Sequence, residues 1–143
     1  METNQKLEQI WLNCVPNQIQ QKKTEYLPLL AELLKRNCGI ILEIGISYGG
    51  SAVGFSSVAK ELYIGVDGPD GAYHTPLEKI RSINPNTEFV YTGYNRDEGV
   101  RRIKEILNGR EVDFLFIDGD LDCTDYLLIF NGESVPPAPF LFT

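Results

Sequence analysis

The stretch ILEIGISYGGSAV, residues 41–53, contains the pattern that decides the fold. It begins as an almost wholly apolar run, which is typical of a strand buried on both faces of a parallel sheet. Three glycines follow, Gly45, Gly49 and Gly50, and glycines allow a backbone to turn sharply and to approach a bound molecule closely. Small residues at helical spacing then predict a helix over 50–61. The stretch therefore predicts a strand, a glycine loop and a helix, in that order.

Strands and helices alternate along the rest of the chain. The predicted helices, recognised by apolar residues at helical spacing, cover residues 5–13, 18–36, 50–61, 76–83 and 96–109. The predicted strands, which are short apolar runs, cover residues 39–45, 62–67, 88–93 and 112–119. Gly39 and Gly109 are predicted to end the helices that precede them. This alternation predicts an α/β fold, a doubly wound, mostly parallel sheet with helices on both faces and right-handed crossovers.

Length and composition indicate one ordinary globular domain. The 143 residues are enough for a hydrophobic core, so we expect a single domain over 1–143. A net charge of −7 argues against a protein that binds nucleic acid or anionic membranes through broad electrostatic attraction. Three scattered cysteines without a CxxC pair, a polar N-terminus and the lack of an apolar stretch of ~20 residues predict a cytoplasmic protein without disulfide bonds or membrane spans.

The glycine loop fits two classes of cofactor. A dinucleotide-binding loop has the pattern G-x-G-x-x-G, and the three positions here are Gly45, Ser47 and Gly50, so the middle glycine is missing. S-adenosylmethionine has no phosphate, but its amino acid end carries an ammonium group. An acid near the end of the first strand suits that cation, and Glu43 stands there.

Two further polar residues are placed to contact such a cofactor. Ser51 directly follows the glycines, where it can cap the next helix or donate its hydroxyl to a ligand. Asp67 ends the second predicted strand and can accept hydrogen bonds from both ribose hydroxyls of an adenosine group. Asp67 suits either cofactor, so it indicates an adenosyl nucleoside without choosing between them.

Four stretches, in order and spacing, resemble the class I S-adenosylmethionine-dependent methyltransferases. ILEIGISYGGSAV is similar to their E-x-G-x-x-x-G-G-S loop, and YIGVDG to their second strand with its ribose-binding acid. VYTGYNRDEGVRRI is similar to the third strand and the loop beside adenine, and VDFLFIDGD to the fourth strand. The likeness is to the cephalosporin hydroxylase-like and catechol-type branch. It implies N-terminal helices over 1–37, a cofactor-binding half over 38–120 and an atypical tail over 121–143.

The resemblance implies a role for each matching residue. The residues implied to bind S-adenosylmethionine are Glu43, Gly45, Ser47, Gly49, Gly50 and Ser51 at the glycine loop, Asp67 at the ribose, and Tyr94 and Asn95 near adenine. Asp118 is also implied to lie at the cofactor site, and it corresponds to an acid that binds a divalent metal in the catechol-type branch. Such a metal would orient a substrate hydroxyl and lower its pKa for attack on the methyl group.

The sequence departs from the family after the fourth strand. Leu121 stands where a histidine is common, and no Asp-Asn pair follows, which makes a divalent metal doubtful. A complete domain of this family has seven strands, whereas this chain continues only to Thr143. Three prolines argue against a central strand within residues 134–143. We therefore expect a truncated or altered C-terminal side and an incomplete sheet.

The sequence leaves the catalytic group open, with His74 and Asp120 as weak candidates. The leading hypothesis is methyl transfer to a small-molecule acceptor, with reduced or no activity if the chain is truncated. One alternative is a nicotinamide-dependent oxidoreductase. Another is a non-catalytic module that completes its sheet with a partner chain, and the sheet edge and apolar tail are candidate contacts of a homo-oligomer. No nucleic acid or membrane partner is expected.

Overall fold

Five parallel strands form the sheet at the centre of the described structure. The computed structural model describes residues 2–46, 48–68, 75–92, 96–117 and 141–142. The strands are β1 (Ile40–Ile44), β2 (Leu62–Asp67), β3 (Thr87–Tyr91), β4 (Phe114–Ile117) and β5 (Leu141–Phe142). Their order across the sheet is β3-β2-β1-β4-β5, and every neighbouring pair is parallel. The chain moves outward from β1 to β3 and then crosses back to β4, so the strand order reverses beside β1.

Helices cover both faces of this sheet. In the described part of the chain, the α-helices are α1 (Glu2–Cys14), α2 (Lys23–Lys35), α3 (Gly50–Val58), α4 (Leu77–Ile83) and α5 (Arg96–Leu107). Apolar side chains of α1 to α4 join one buried cluster, and those of α5 join a second cluster on the opposite face. The predicted doubly wound α/β fold is confirmed. None of the described helices combines the length and the apolar character that crossing a membrane requires.

The central strand β1 is buried along its whole length. Its residues alternate between the two faces, as in any strand: Ile40, Leu42 and Ile44 belong to the cluster beneath α5. Ile41 belongs to the cluster beneath the other four helices. Glu43 follows Ile41 in this alternation and is 0% exposed. The sequence therefore places a carboxyl group inside the apolar layer between the sheet and α1 to α4.

Two helices are shorter than the sequence predicts by three residues or more. α2 begins at Lys23 rather than at residue 18, because Val15–Asn17 form a 3-10 turn and Gln18 then adopts a left-handed conformation with φ of 54°. This conformation stops a helix from continuing across that residue. α3 ends at Val58 rather than at residue 61, because Ala59 is extended. The segment over 18–22 is therefore a connection between two helices.

The prediction that Gly39 ends α2 is wrong, because Asn37 takes that role. Asn37 has the left-handed φ of 56°, which asparagine tolerates better than most residues. The amides of Asn37 and Cys38 donate to the carbonyls of Leu34 and Leu33, which together form a Schellman motif. The Gly39 amide instead donates to a carboxylate oxygen of Asp113 at 2.8 Å.

The proline-rich end of the chain contributes β5 at one edge of the sheet. Leu141 and Phe142 pair with Leu115 and Phe116 of β4. They follow the last proline, so both can donate an amide to a neighbouring strand. Among the described strands β5 lies at an edge, and the sequence did not predict it.

Cys14 lies in the core at the end of α1, where it is 0% exposed. Burial raises the pKa of its thiol to about 12, so the thiol stays protonated and unreactive near neutral pH.

We expect Cys14 to resist iodoacetamide at about pH 8 in the folded protein and to react fully in denaturant. Peptide mapping by mass spectrometry checks this result. Equal labelling of Cys14 in the two states would contradict it.

Candidate functional site

The glycine loop after β1 contains two left-handed residues. Gly45 and Gly49 have φ of 89° and 92°, which glycine adopts without the strain that a Cβ brings. The Gly45 amide donates to the Val66 carbonyl of β2 at 2.8 Å, and the Gly49 amide donates to the Ile46 carbonyl at 3.0 Å. These bonds close the loop into a tight turn at the carboxyl ends of β1 and β2.

The loop is also packed tightly against its neighbours. A Cβ on Gly49 would lie 2.5 Å from Cδ of Pro76, and a Cβ on Gly50 would lie 2.5 Å from Cα of Ile19. Both distances are far below any real Cβ contact, so glycine is needed at these two positions. The loop is therefore held between the connection over 18–22 and the start of α4.

A small pocket, open to solvent, lies between the connection over 18–22 and the glycine loop. The residues that line it are Gln18, Ile19, Gln20, Gln21, Gly45, Ile46, Tyr48, Gly50 and Ser51. The sequence did not predict that residues 18–21 form a wall of this pocket, because it placed them in the second helix. Their only signal is a glutamine-rich composition between two predicted helices. The polar side chains of this wall can supply both hydrogen-bond donors and acceptors to a ligand.

Asp67 lies at the carboxyl end of β2, beside the loop. One carboxylate oxygen accepts a hydrogen bond from the Ile46 amide at 3.1 Å, and the other accepts from the Gly68 amide at 2.8 Å. The side chain is half-buried. Each carboxylate oxygen can accept more than one hydrogen bond, and these two contacts orient the group at the loop.

Glu43 lies beneath the loop, fully buried in the core. The Tyr63 hydroxyl donates to its Oε1 at 2.6 Å, and the Ser51 hydroxyl donates to its Oε2. Ser51 is thus engaged on the core side of α3, where it does not act as the N-cap; Gly49 occupies that position. The described contacts of Glu43 are made within the protein. Its predicted contact with a cofactor stays a prediction.

Several predicted site residues lie outside the described residues. They are Ser47, His74, Tyr94, Asn95, Asp118 and Asp120. The predicted residues that the structure brings together lie at the carboxyl ends of β1 and β2. They are Glu43, Gly45, Gly49, Gly50, Ser51 and Asp67. Among the residues that the structure describes, no three side chains of histidine, cysteine, aspartate or glutamate gather into a metal-binding group.

Solved structures with the same fold are methyltransferases. An O-methyltransferase from Bacillus cereus in complex with SAH, the demethylated product S-adenosylhomocysteine, aligns with a TM-score of 0.60 at 18% identity, over 95% of this chain and 63% of that one. The calicheamicin methyltransferase CalS11 aligns with a TM-score of 0.52 at 17% identity, over 84% of this chain and 67% of that one. This chain thus spans less than two thirds of the length of the Bacillus cereus protein.

Comparisons of sequence alone add no further relative. No protein-family model matches the chain, and a search of curated proteins finds no significant match. The likeness to known proteins is therefore one of overall fold, at 15–18% identity. The chain has the fold of the class I S-adenosylmethionine-dependent methyltransferases, as its four sequence motifs predicted.

Proposed function

We propose that this chain binds S-adenosylmethionine at the glycine loop and transfers its methyl group to a small-molecule acceptor. The observation that carries the proposal is the hydrogen bond between Asp67 and the glycine loop. Its carboxylate holds the Ile46 amide at 3.1 Å, directly beside the left-handed Gly45. In doubly wound folds, ligands bind beyond the carboxyl ends of the strands where the strand order reverses, and β1 ends there.

The groups around the loop fit the parts of this cofactor. Asp67 is half-buried and already oriented, so it can accept both ribose hydroxyls. The first amides of α3 have no partner within the helix, and they favour a carboxylate such as that of the methionine end. Gln18, Gln20 and Gln21 line the same pocket and can bond to the polar amino acid end. When bound, the cofactor supplies an electrophilic methyl group on a positively charged sulfur.

The contribution of the protein to such a reaction is mainly positioning. The loop is fixed by the Val66 carbonyl, by Pro76 and by Ile19, so a ligand on it is held in one orientation. Holding two reactants in line can supply much of the rate acceleration of a displacement reaction. The proposal extends to a cytoplasmic location and to a small-molecule acceptor, without a nucleic acid or membrane partner. The negative net charge supports the absence of such partners.

Calorimetric titration of the folded protein with S-adenosylhomocysteine tests the proposal. We expect saturable binding to one site per chain, and no binding of NADH under the same conditions. The matched NADH titration separates the two cofactor classes that the glycine loop fits. Binding of NADH without binding of S-adenosylhomocysteine would replace this function with that of a nicotinamide-dependent enzyme. Binding of neither, by protein with a folded circular dichroism spectrum, would overturn it.

A further inference from the structure

Buried hydrogen bonds connect four elements directly beneath the glycine loop. The Tyr63 hydroxyl of β2 donates to Glu43 of β1 at 2.6 Å, and the Ser51 hydroxyl of α3 donates to the other oxygen of the same carboxylate. The Tyr26 hydroxyl of α2 then donates to the Ser51 carbonyl at 2.6 Å. We call these residues the Tyr63–Glu43–Ser51–Tyr26 network. All four are buried, and Glu43 and Tyr63 are 0% exposed.

Burial of the Glu43 carboxyl group in this network has a cost in folding stability. Taking a carboxyl group out of water is unfavourable, and the hydroxyl donors of Tyr63 and Ser51 offset part of that cost. Buried polar groups of this kind can often be replaced by apolar residues without loss of stability. Burial, and next the charge of Glu43, holds the pKa of Tyr63 well above its usual range, so the hydroxyl stays a donor.

The network fixes both ends of the glycine loop. Glu43 stands two residues before Gly45, and Ser51 directly follows Gly50. One carboxylate therefore links the strand that enters the loop to the helix that leaves it. Tyr63 comes from the neighbouring strand and holds that carboxylate from the side, while its ring packs edge-on against Phe89 with centroids 6.1 Å apart.

We propose that Tyr63 is a positioning residue, which acts through Glu43 and Ser51 to hold the glycine loop and the first turn of α3 in their ligand-binding conformation. The inference rests on the proposed function for the identity of the ligand. Tyr63 lies in the core and is 0% exposed, so it acts through these partners. Its hydroxyl sets the orientation of the carboxylate, and the carboxylate sets the position of the Ser51 hydroxyl.

The variant Tyr63→Phe tests this role, because it removes the hydroxyl and keeps the ring. Two quantities are measured: hydrogen exchange of the amides over 45–53 without ligand, and the dissociation constant for S-adenosylhomocysteine. We expect exchange to become about tenfold faster and binding about tenfold weaker, since a hydrogen bond to a charged group is lost. If the single variant does not fold, Glu43→Gln is measured with and without Tyr63→Phe, and the difference between the two gives the effect of the Tyr63 hydroxyl.

Thr87→Val is the matched control. Thr87 is 1% exposed, and its hydroxyl donates to the Asn84 carbonyl at 2.7 Å, at the amino end of β3. Thr87 pairs with Tyr63 across β2 and β3, so this control disturbs the surroundings of Tyr63 but keeps its hydroxyl. This variant also loses one buried hydrogen bond, so it should lower the thermal midpoint without changing the loop or the binding. Loop exchange that is no faster in Tyr63→Phe than in Thr87→Val would overturn the inference.

The two readouts separate this inference from the proposed function. Faster loop exchange in Tyr63→Phe, together with weaker binding of S-adenosylhomocysteine, supports both. Faster loop exchange in a protein whose wild type binds no S-adenosylhomocysteine supports the positioning role and rejects the cofactor. Unchanged exchange with normal wild-type binding rejects the positioning role and leaves the cofactor proposal intact.

Discussion

Replacing Asp67 with alanine should weaken the binding of S-adenosylhomocysteine by at least about 100-fold, because two hydrogen bonds to a charged acceptor are lost and each contributes ~1.5–3 kcal/mol. The same change removes the acceptor of the Ile46 amide, so the loop loses a support as well. Calorimetric titration of wild type and variant measures the ratio of the two dissociation constants. We expect the variant to keep the folded circular dichroism spectrum.

The chain offers a closely matched control at the other end of the sheet. Asp113 also accepts two backbone amides, those of Gly39 and Ile40, at 2.8 and 2.9 Å. Asp113→Ala should therefore lower stability by a similar amount and leave the dissociation constant within about threefold of wild type. Equal weakening of binding by both variants would show that Asp67 acts through stability alone.

The variant Gly54→Ala should lower the free energy of unfolding by about 2–3 kcal/mol, because it overpacks the core. Gly54 lies within α3, and a Cβ there would overlap the hydroxyl of Tyr26 and lie 2.7 Å from two of its ring carbons. Tyr26 cannot move aside easily, since it packs edge-on against Phe55 and donates to the Ser51 carbonyl. Urea denaturation followed by circular dichroism measures the change.

Gly68→Ala is the control for this substitution, because a Cβ at Gly68 meets no atom of the described residues within 4 Å. Its stability should stay within about 0.5 kcal/mol of wild type. Adding Tyr26→Phe to Gly54→Ala removes the atom nearest to the new methyl group. The double variant should therefore lose less than the sum of the two single losses. Strict additivity would show that the clash with Tyr26 is not the cause.

The sequence predicted the strands of the fold well. β2 has the predicted bounds, because its apolar run is limited by the charged Glu61 and by Asp67. β1 lacks the first and last residues of its predicted range, and β4 begins at Phe114 rather than at residue 112. The error at Gly39 arose from a general preference for glycine after a helix. The sequence did not indicate Asn37 as the residue that ends α2. The hydrogen bond from the Gly39 amide to Asp113, which is distant in sequence, is visible only in the structure.

The candidate site was predicted only in part. The glycine loop and Asp67 follow from local patterns, because strand ends and turns depend on neighbouring residues. The contact of Tyr63 with Glu43 joins two strands, and no local pattern indicates that these side chains face each other. The register of β1 and β2, set by the whole sheet, decides that contact. The wall over 18–21 likewise depends on how α1 and α2 pack.

The position of β1 between β2 and β4 has a consequence for how the chain folds. Gly39 and Ile40 meet Asp113 across 74 and 73 positions of sequence, whereas β1 meets β2 across about a third of that distance. Closing the longer loop costs more entropy, so the pairing with β4 forms late. Until then one side of the central strand has unpaired amides and carbonyls. During refolding at high protein concentration, we therefore expect the unpaired side of β1 to associate with other chains before β4 pairs with it.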